Sequence, residues 1–156
     1  MTTRRSRFAL NTLSAAALLA LCIPSVGRAD DADVKAAIDA NHAAIHSLNI
    51  GDIVNVWSHG ADVTLVNPGD STVAVGWDAV KGRWENVFKI LSSVDIKQTD
   101  GPYVTTTGDI ARSVGIVHVT LHFKSRDTKE VNFVETDVFL KQEGHWLVVS
   151  HTAKPI

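Results

Sequence analysis

Ala61-Asp-Val-Thr-Leu-Val-Asn-Pro-Gly69, then Val73-Ala-Val-Gly-Trp-Asp-Ala-Val80, then Trp84 and Phe88, is the stretch whose reading decides the fold. Val63 to Val66 and Val73 to Val75 read as short strands on either side of Asn67-Pro68-Gly69-Asp70, a strong turn signal. After Gly76, the positions Trp77, Val80, Trp84, Val87, Phe88 and Leu91 follow helical spacing for more than three turns. Asp78 falls in the first turn, where the helix dipole favours a carboxylate. Gly82 weakens that helix by about 1 kcal/mol against alanine, so either something packs closely there or the loss is tolerated.

Outward from this unit the pattern changes. On the N-terminal side, Val34, Ala37, Ile38, Ile45 and Leu48 share one helical stripe over Asp33 to Asn49, with Gly51 as the expected stop, and Asp52 to Trp57 reads as a short second helix. On the C-terminal side four strands are expected: Val94 to Thr106 with a bend at Asp100-Gly101-Pro102, Ile110 to Lys124, Glu130 to Lys141, and His145 to Ala153. Long consecutive strands after helices predict an α+β layer fold, a curved antiparallel sheet wrapped around the N-terminal helices.

Residues 1–29 read as a signal peptide: Arg4, Arg5 and Arg7 precede an apolar run from Phe8 to Ile23, and Gly27-Arg28-Ala29 places small residues at the cleavage positions. The mature chain, 30–156, then starts at Asp30 as a single domain and is periplasmic or secreted. Asn11, Thr12 and Ser14 interrupt the apolar run, which argues against a membrane anchor. Arg4-Arg5 is an imperfect twin-arginine pair, and Leu21 before Cys22 spoils a lipid-attachment motif. Cleavage takes four of 15 basic residues and none of 17 acidic ones, leaving 11 against 17, a charge of −6. The remaining cations are scattered singly, which disfavours nucleic acid as a partner. The only cysteine leaves with the leader, so no disulfide or thiol chemistry is expected.

The strand, Pro-Gly turn, strand and helix order, together with Thr136-Asp-Val-Phe139 and Gly144-His-Trp-Leu-Val-Val149, resembles the SnoaL-like branch of the nuclear transport factor 2-like superfamily. That cone-shaped, cystatin-like fold also holds the ketosteroid isomerases. The resemblance implies a ligand held between sheet and helices. It places Asn67 where those isomerases carry their catalytic carboxylate base, and an amide cannot take a proton from carbon. Its other reading is an Asx residue opening the turn. The tyrosine expected on the first helix is missing, since Tyr103 is the only one. Asp137 matches the pocket acid that donates a hydrogen bond to the substrate oxygen, and His151 falls where relatives often place a histidine or glutamine.

From the residues themselves, Glu135 lies two positions before Asp137 and on the same strand face, between Phe133 and Phe139. Two carboxylates about 7 Å apart among aromatic rings favour a protonated acid near neutral pH. Asn41 interrupts the apolar stripe of the first helix and needs a partner for its amide, in the core or in a pocket. Asp137 and Glu135 are therefore the candidate catalytic pair, and Asn41, Trp57, Asn67, Trp84, Phe133, Phe139 and His151 the candidate ligand-binding set. His42 and His46 have the spacing of a metal pair, but no further ligand converges, so they read as a solvated helix flank and no metal or cofactor is expected. His118 and His122 read as outward-facing. The function expected is binding of a small apolar ligand without assigned catalysis. The alternative is cofactor-free acid–base chemistry (isomerisation, cyclisation or dehydration) at Asp137. A homodimer is expected because Val114, Ile116 and Thr120 lie opposite the Val117, Val119 and Leu121 face.

Overall fold

The computed structural model describes residues 26–156, with side chains from residue 30. The expected leader therefore falls almost wholly outside the described residues. Three helices, α1 (Val26–Ser47), α2 (Ile50–Val56) and α3 (Trp77–Ile90), accompany β1 (Thr64–Val66), β2 (Ala74–Val75), β3 (Leu91–Thr107), β4 (Ile110–Phe123), β5 (Thr128–Gln142) and β6 (His145–Pro155). The strands form one sheet in the order β2-β1-β6-β5-β4-β3. The sheet is mixed rather than antiparallel throughout, because β1 runs parallel to β6. This is the α+β cone expected: a curved, unclosed sheet around helices.

The helices form for the reasons their sequence suggests. The stripe of α1 buries Val34, Ile38, Asn41, Ala44 and Ile45. Gly51 does not stop this helix. Leu48 does, turning left-handed at φ 52°, and Gly51 lies inside α2, where its N–H donates to the Asn49 cap. α3 buries Val80, Trp84 and Phe88 against the sheet. A Cβ on Gly82 would meet nothing within 4 Å, so tolerance rather than close packing explains that glycine.

Strand alternation sets the inner face. Phe133, Glu135, Asp137 and Phe139 are buried at every second position of β5, and Ala111, Ser113, Val117 and Val119 do the same on β4. The bend at Asp100-Gly101-Pro102 is present as register slips between β3 and β4 that leave the strand unbroken. β6 is different. Its pairing with β5 slips between Val138 and Phe139, whose partners are Ser150 and Val148, so Val149 is the extra residue of a bulge. Trp146 and Val148 are buried before the bulge and His151 after it. An unbroken alternation would have sent Ser150 inward and His151 out.

Candidate acid–base site

The bulge builds the site. It puts His151 opposite Asp137 across the β5–β6 ladder, while Ser113 on β4 faces Asp137 from the other side. His151 Nδ1 lies 2.7 Å from Asp137 Oδ1, with side chains 4% and 1% exposed. Ser113 Oγ approaches Asp137 Oδ2 only weakly, at 3.5 Å. A second pair continues the chain: His42 Nε2 is 2.7 Å from Glu135 Oε2, and Glu135 Oε1 is 3.7 Å from His151 Nδ1. Two histidines and two carboxylates thus form one buried network. Each histidine proton shared with a carboxylate relieves the desolvation that burial imposes on both.

The titration behaviour follows from this geometry. Burial pushes Asp137 above its ordinary value, and the attraction of His151 offsets only part of it. Burial works against charge on His151, but the Asp137 carboxylate, its hydrogen bond and Glu135 together hold His151 above its usual value. Burial likewise opposes charge on Glu135, yet the His42 hydrogen bond and the nearby His151 bring it below the usual glutamate range. His42 is raised, the Glu135 bond and charge outweighing its burial. With Asp137 accepting from Nδ1–H, the tautomer leaves His151 Nε2 as the basic nitrogen.

His151 and Glu135 line a cavity of about 260 Å³ between α3 and the inner sheet face. Its wall is otherwise largely apolar, built from residues such as Trp84, Leu91, Val117 and Phe133, with Asn67 also among the lining residues. A wider groove of about 910 Å³ lies between α1 and the β5–β6 hairpin, lined by Ala36, Ala37, Ala40 and Trp146. That groove meets none of the paired acids. The smaller cavity is the candidate site.

Of the residues expected in the pocket, Asn67, Trp84, Phe133, Glu135 and His151 line the cavity. Asp137 stands directly behind His151. Four expectations are corrected. Asn41 is a core amide, accepting from Trp57 Nε1 at 3.2 Å, and neither it nor Trp57 reaches the cavity. Phe139 is fully buried core. Nor does the Asn67 side chain cap its turn: Asp70 does so, accepting from Asn67 N–H at 2.7 Å and from Arg83 at 2.6 Å. The residue missed is His42, expected on a solvated flank and found bonded to Glu135. Its partner His46 turns instead to the Val94 carbonyl at 2.5 Å.

Glu135, Asp137 and His151 bring ligating atoms within 4.8 Å of one another, enough to suggest a cation. The 2.7 Å His151–Asp137 separation is that of a hydrogen bond. Neighbouring ligands of an ion with bonds of roughly 2.0–2.2 Å sit about 3 Å or more apart. The geometry fits a shared proton better.

A family model described as a SnoaL-like domain matches residues 34–153. The chain belongs to the SnoaL-like family. No curated protein sequence matches it. Among solved structures, this SnoaL-like chain is similar to a proposed dehydratase of the nuclear transport factor 2-like family from Streptomyces avermitilis, at 23% identity and TM-score 0.75, covering 82% of this chain and 96% of that one. It is also similar to a ketosteroid isomerase-like protein from Erwinia carotovora atroseptica, at 21% identity and TM-score 0.68, covering 80% and 95%. A nuclear transport factor 2-like superfamily protein from Salmonella enterica matches at 14% identity and TM-score 0.73, covering 80% and 89%. At these identities the likeness is one of fold, and the SnoaL-like fold carries several unrelated functions.

Proposed function

We propose that this SnoaL-like domain holds a small, mostly apolar molecule in the 260 Å³ cavity and moves a proton on it with its own side chains, His151 acting as the base. The buried His151–Asp137 bond at 2.7 Å carries this reading. Simple binding of an apolar ligand gains nothing from two desolvated carboxylates on or behind the wall, whereas proton transfer does. Asp137 holds the imidazole in one tautomer and stabilises its charged form once the proton arrives. The roles expected from sequence are thus reordered: Asp137 orients, His151 reacts, and Glu135, tied to His42, keeps the site's charge balanced.

A cavity of about 150 Å³ is known to hold benzene, so one of this size admits a two-ring arene. An aryl methyl ketone such as 2-acetylnaphthalene is therefore a suitable probe. His151 Nε2 would take an α-proton, the C–H electron pair would move into the carbonyl as an enolate, and return of a deuteron from D₂O would exchange the methyl hydrogens. Proton NMR should show exchange faster than in buffer, and His151→Gln should slow it by about 100- to 10,000-fold. Bound ketone with no accelerated exchange would leave a binding protein and overturn the catalytic reading.

We also propose that the domain works after export, as a dimer. The half-buried outer sheet face carries Val114, Ile116, Val134 and Val138, an apolar surface suited to a second copy. Cleavage after Ala29 would open α1 with Asp30, Asp31 and Asp33, which suits the helix dipole, while Asp30 and Asp31 already bond Lys141 and Thr106 at 3.0 and 2.9 Å.

A further inference from the structure

Two buried donors on this cavity's lining residues have no acceptor. Among the described residues, Asn67 Nδ2 and Trp84 Nε1 are buried without a hydrogen-bond partner, and both residues line the cavity that His151 and Glu135 line. The other two such atoms, on Asn41 and Trp146, belong to residues outside it. Buried donors are normally paired, so two left open on residues lining one cavity call for an acceptor from elsewhere.

The residues that carry the two donors are also tied together. Asp70 closes the turn that Asn67 heads and bonds Arg83 Nη1 at 2.6 Å, and Arg83 donates onward to the Thr72 carbonyl at 2.9 Å. Arg83 is the residue before Trp84 on α3, so one ion pair ties the turn carrying the amide to the helix carrying the indole. Trp84 is itself 3% exposed and packed against Trp57, Phe88 and His151, at centroid distances of 6.5, 5.7 and 5.9 Å.

We propose that Asn67 and Trp84 form the oxygen-recognition wall of the pocket, selecting ligands that present a neutral carbonyl oxygen to two N–H donors while their carbon skeleton fills the apolar remainder. Two unpaired donors on residues lining one cavity match in number the two lone pairs of one oxygen. The carboxylate of Glu135 on the same cavity disfavours an anionic group there. The proposal rests on the pocket reading above and extends it to a substrate class: ketones and related carbonyl compounds, whose enolate oxygen these donors would stabilise. The amide that cannot serve as a base becomes a donor to the oxygen instead. Arg83 and Asp70 are positioning residues.

The test compares 2-acetylnaphthalene, labelled with carbon-13 at the carbonyl, with 2-isopropenylnaphthalene, which has nearly the same shape and no acceptor. The wild-type protein should bind the ketone about 10- to 100-fold more tightly, and the bound carbonyl stretch should lie below its position in hexane. Asn67→Leu and Trp84→Phe should each cost about tenfold in ketone affinity, spare the hydrocarbon, and return the stretch part-way towards hexane. Arg83→Met should weaken the shift while leaving both donors in place. Should Trp84→Phe fail to fold, Asn67→Leu still decides. Equal affinity for the two probes, or a stretch that neither donor substitution moves, overturns the proposal. Failure to bind either probe overturns the pocket reading and this one with it. A shifted stretch without methyl exchange sinks only His151 as base, and exchange with an unshifted stretch sinks only the oxygen wall.

Discussion

Asp137→Asn keeps the shape of the side chain and removes its charge from a position that is 1% exposed and 2.7 Å from His151 Nδ1. Unit charges 4 Å apart attract by about 4 kcal/mol at an effective dielectric constant of about 20. Desolvation of both groups offsets much of that, and a hydrogen bond to a charged partner is worth about 1.5–3 kcal/mol net. His151 is held above its ordinary value because Asp137 and Glu135 outweigh burial. A histidine raised in the folded state contributes stability that is complete below its unfolded value, about 6.5, and is lost as pH rises through the folded one. Asp137→Asn removes that contribution, so the loss at pH 6 should reach at most about 2–3 kcal/mol, because burial makes the ionisation of Asp137 itself oppose folding and the amide relieves that cost. At pH 9 it falls to about 1 kcal/mol or less, since a neutral imidazole can still donate Nδ1–H to the amide oxygen. Urea denaturation at both pH values measures the difference. NMR titration of the His151 ring should show its pKa falling in the variant, as burial then acts with only Glu135 against it. Equal losses at pH 6 and 9, or an unmoved His151 titration, would refute the shared-proton pair.

Four further outcomes are expected. His42→Gln should cost about 1–3 kcal/mol at pH 7, because Glu135 loses the bond that holds its carboxylate charged. Glu135 is lowered in the folded protein, so that deficit should shrink as pH falls through its folded value, and a pH-independent loss in urea melts would contradict the assignment. Gly82→Ala should stabilise α3 by about 0.5–1 kcal/mol, since its Cβ meets nothing within 4 Å, and a lower melting temperature would show an unseen constraint. Intact mass of the exported protein should start at Asp30, and a mass retaining residues 1–29 or a lipid on Cys22 would overturn the soluble export proposal. Light scattering at micromolar concentration should give a dimer, and Val134→Lys on the outer face a monomer; a wild-type monomer would remove the case for that interface.

Most of the fold was legible because periodicity is a local property. The α3 spacing from Trp77 to Phe88, the Pro68-Gly69 turn and the four long strands each declare themselves within a dozen residues, and their order suffices for the cone. Helix ends were less legible. Gly51 offered the standard stop, but Leu48 takes the left-handed conformation three residues earlier, where the helix must already turn to bring Ile53 and Trp57 into the core. His42 was misread for a related reason. It lies one residue from the centre of the α1 stripe, where a flat partner would leave it wet, but the curled sheet covers more of the helix than the apolar residues announce and sets Glu135 against it.

His151 shows where sequence reasoning about a site needs the bulge. Period two from Trp146 and Val148 points inward at Ser150, and the resemblance alone argued for His151. The extra residue at Val149 resolves the conflict: it shifts the β5–β6 register by one, frees Ser150 to accept from Thr64 at 2.8 Å, and turns His151 onto Asp137. Bulges cost ladder bonds, and they recur beside active sites because they re-aim a side chain that regular pleating would misplace. Deleting Val149 is therefore an informative perturbation. It would restore regular alternation beyond Val148, leaving position 150 facing out and the histidine that follows facing in, with Val148 still opposite Phe139, Ser150 opposite Val138 and the histidine opposite Asp137. The Asp137 pairing and the Leu65 contact on β1 would both be kept. The deletion should therefore leave a folded domain whose histidine still titrates with Asp137 and still exchanges the ketone. If NMR instead finds that the histidine has lost its raised titration, the local bend of the bulge, and not the register alone, aims the ring.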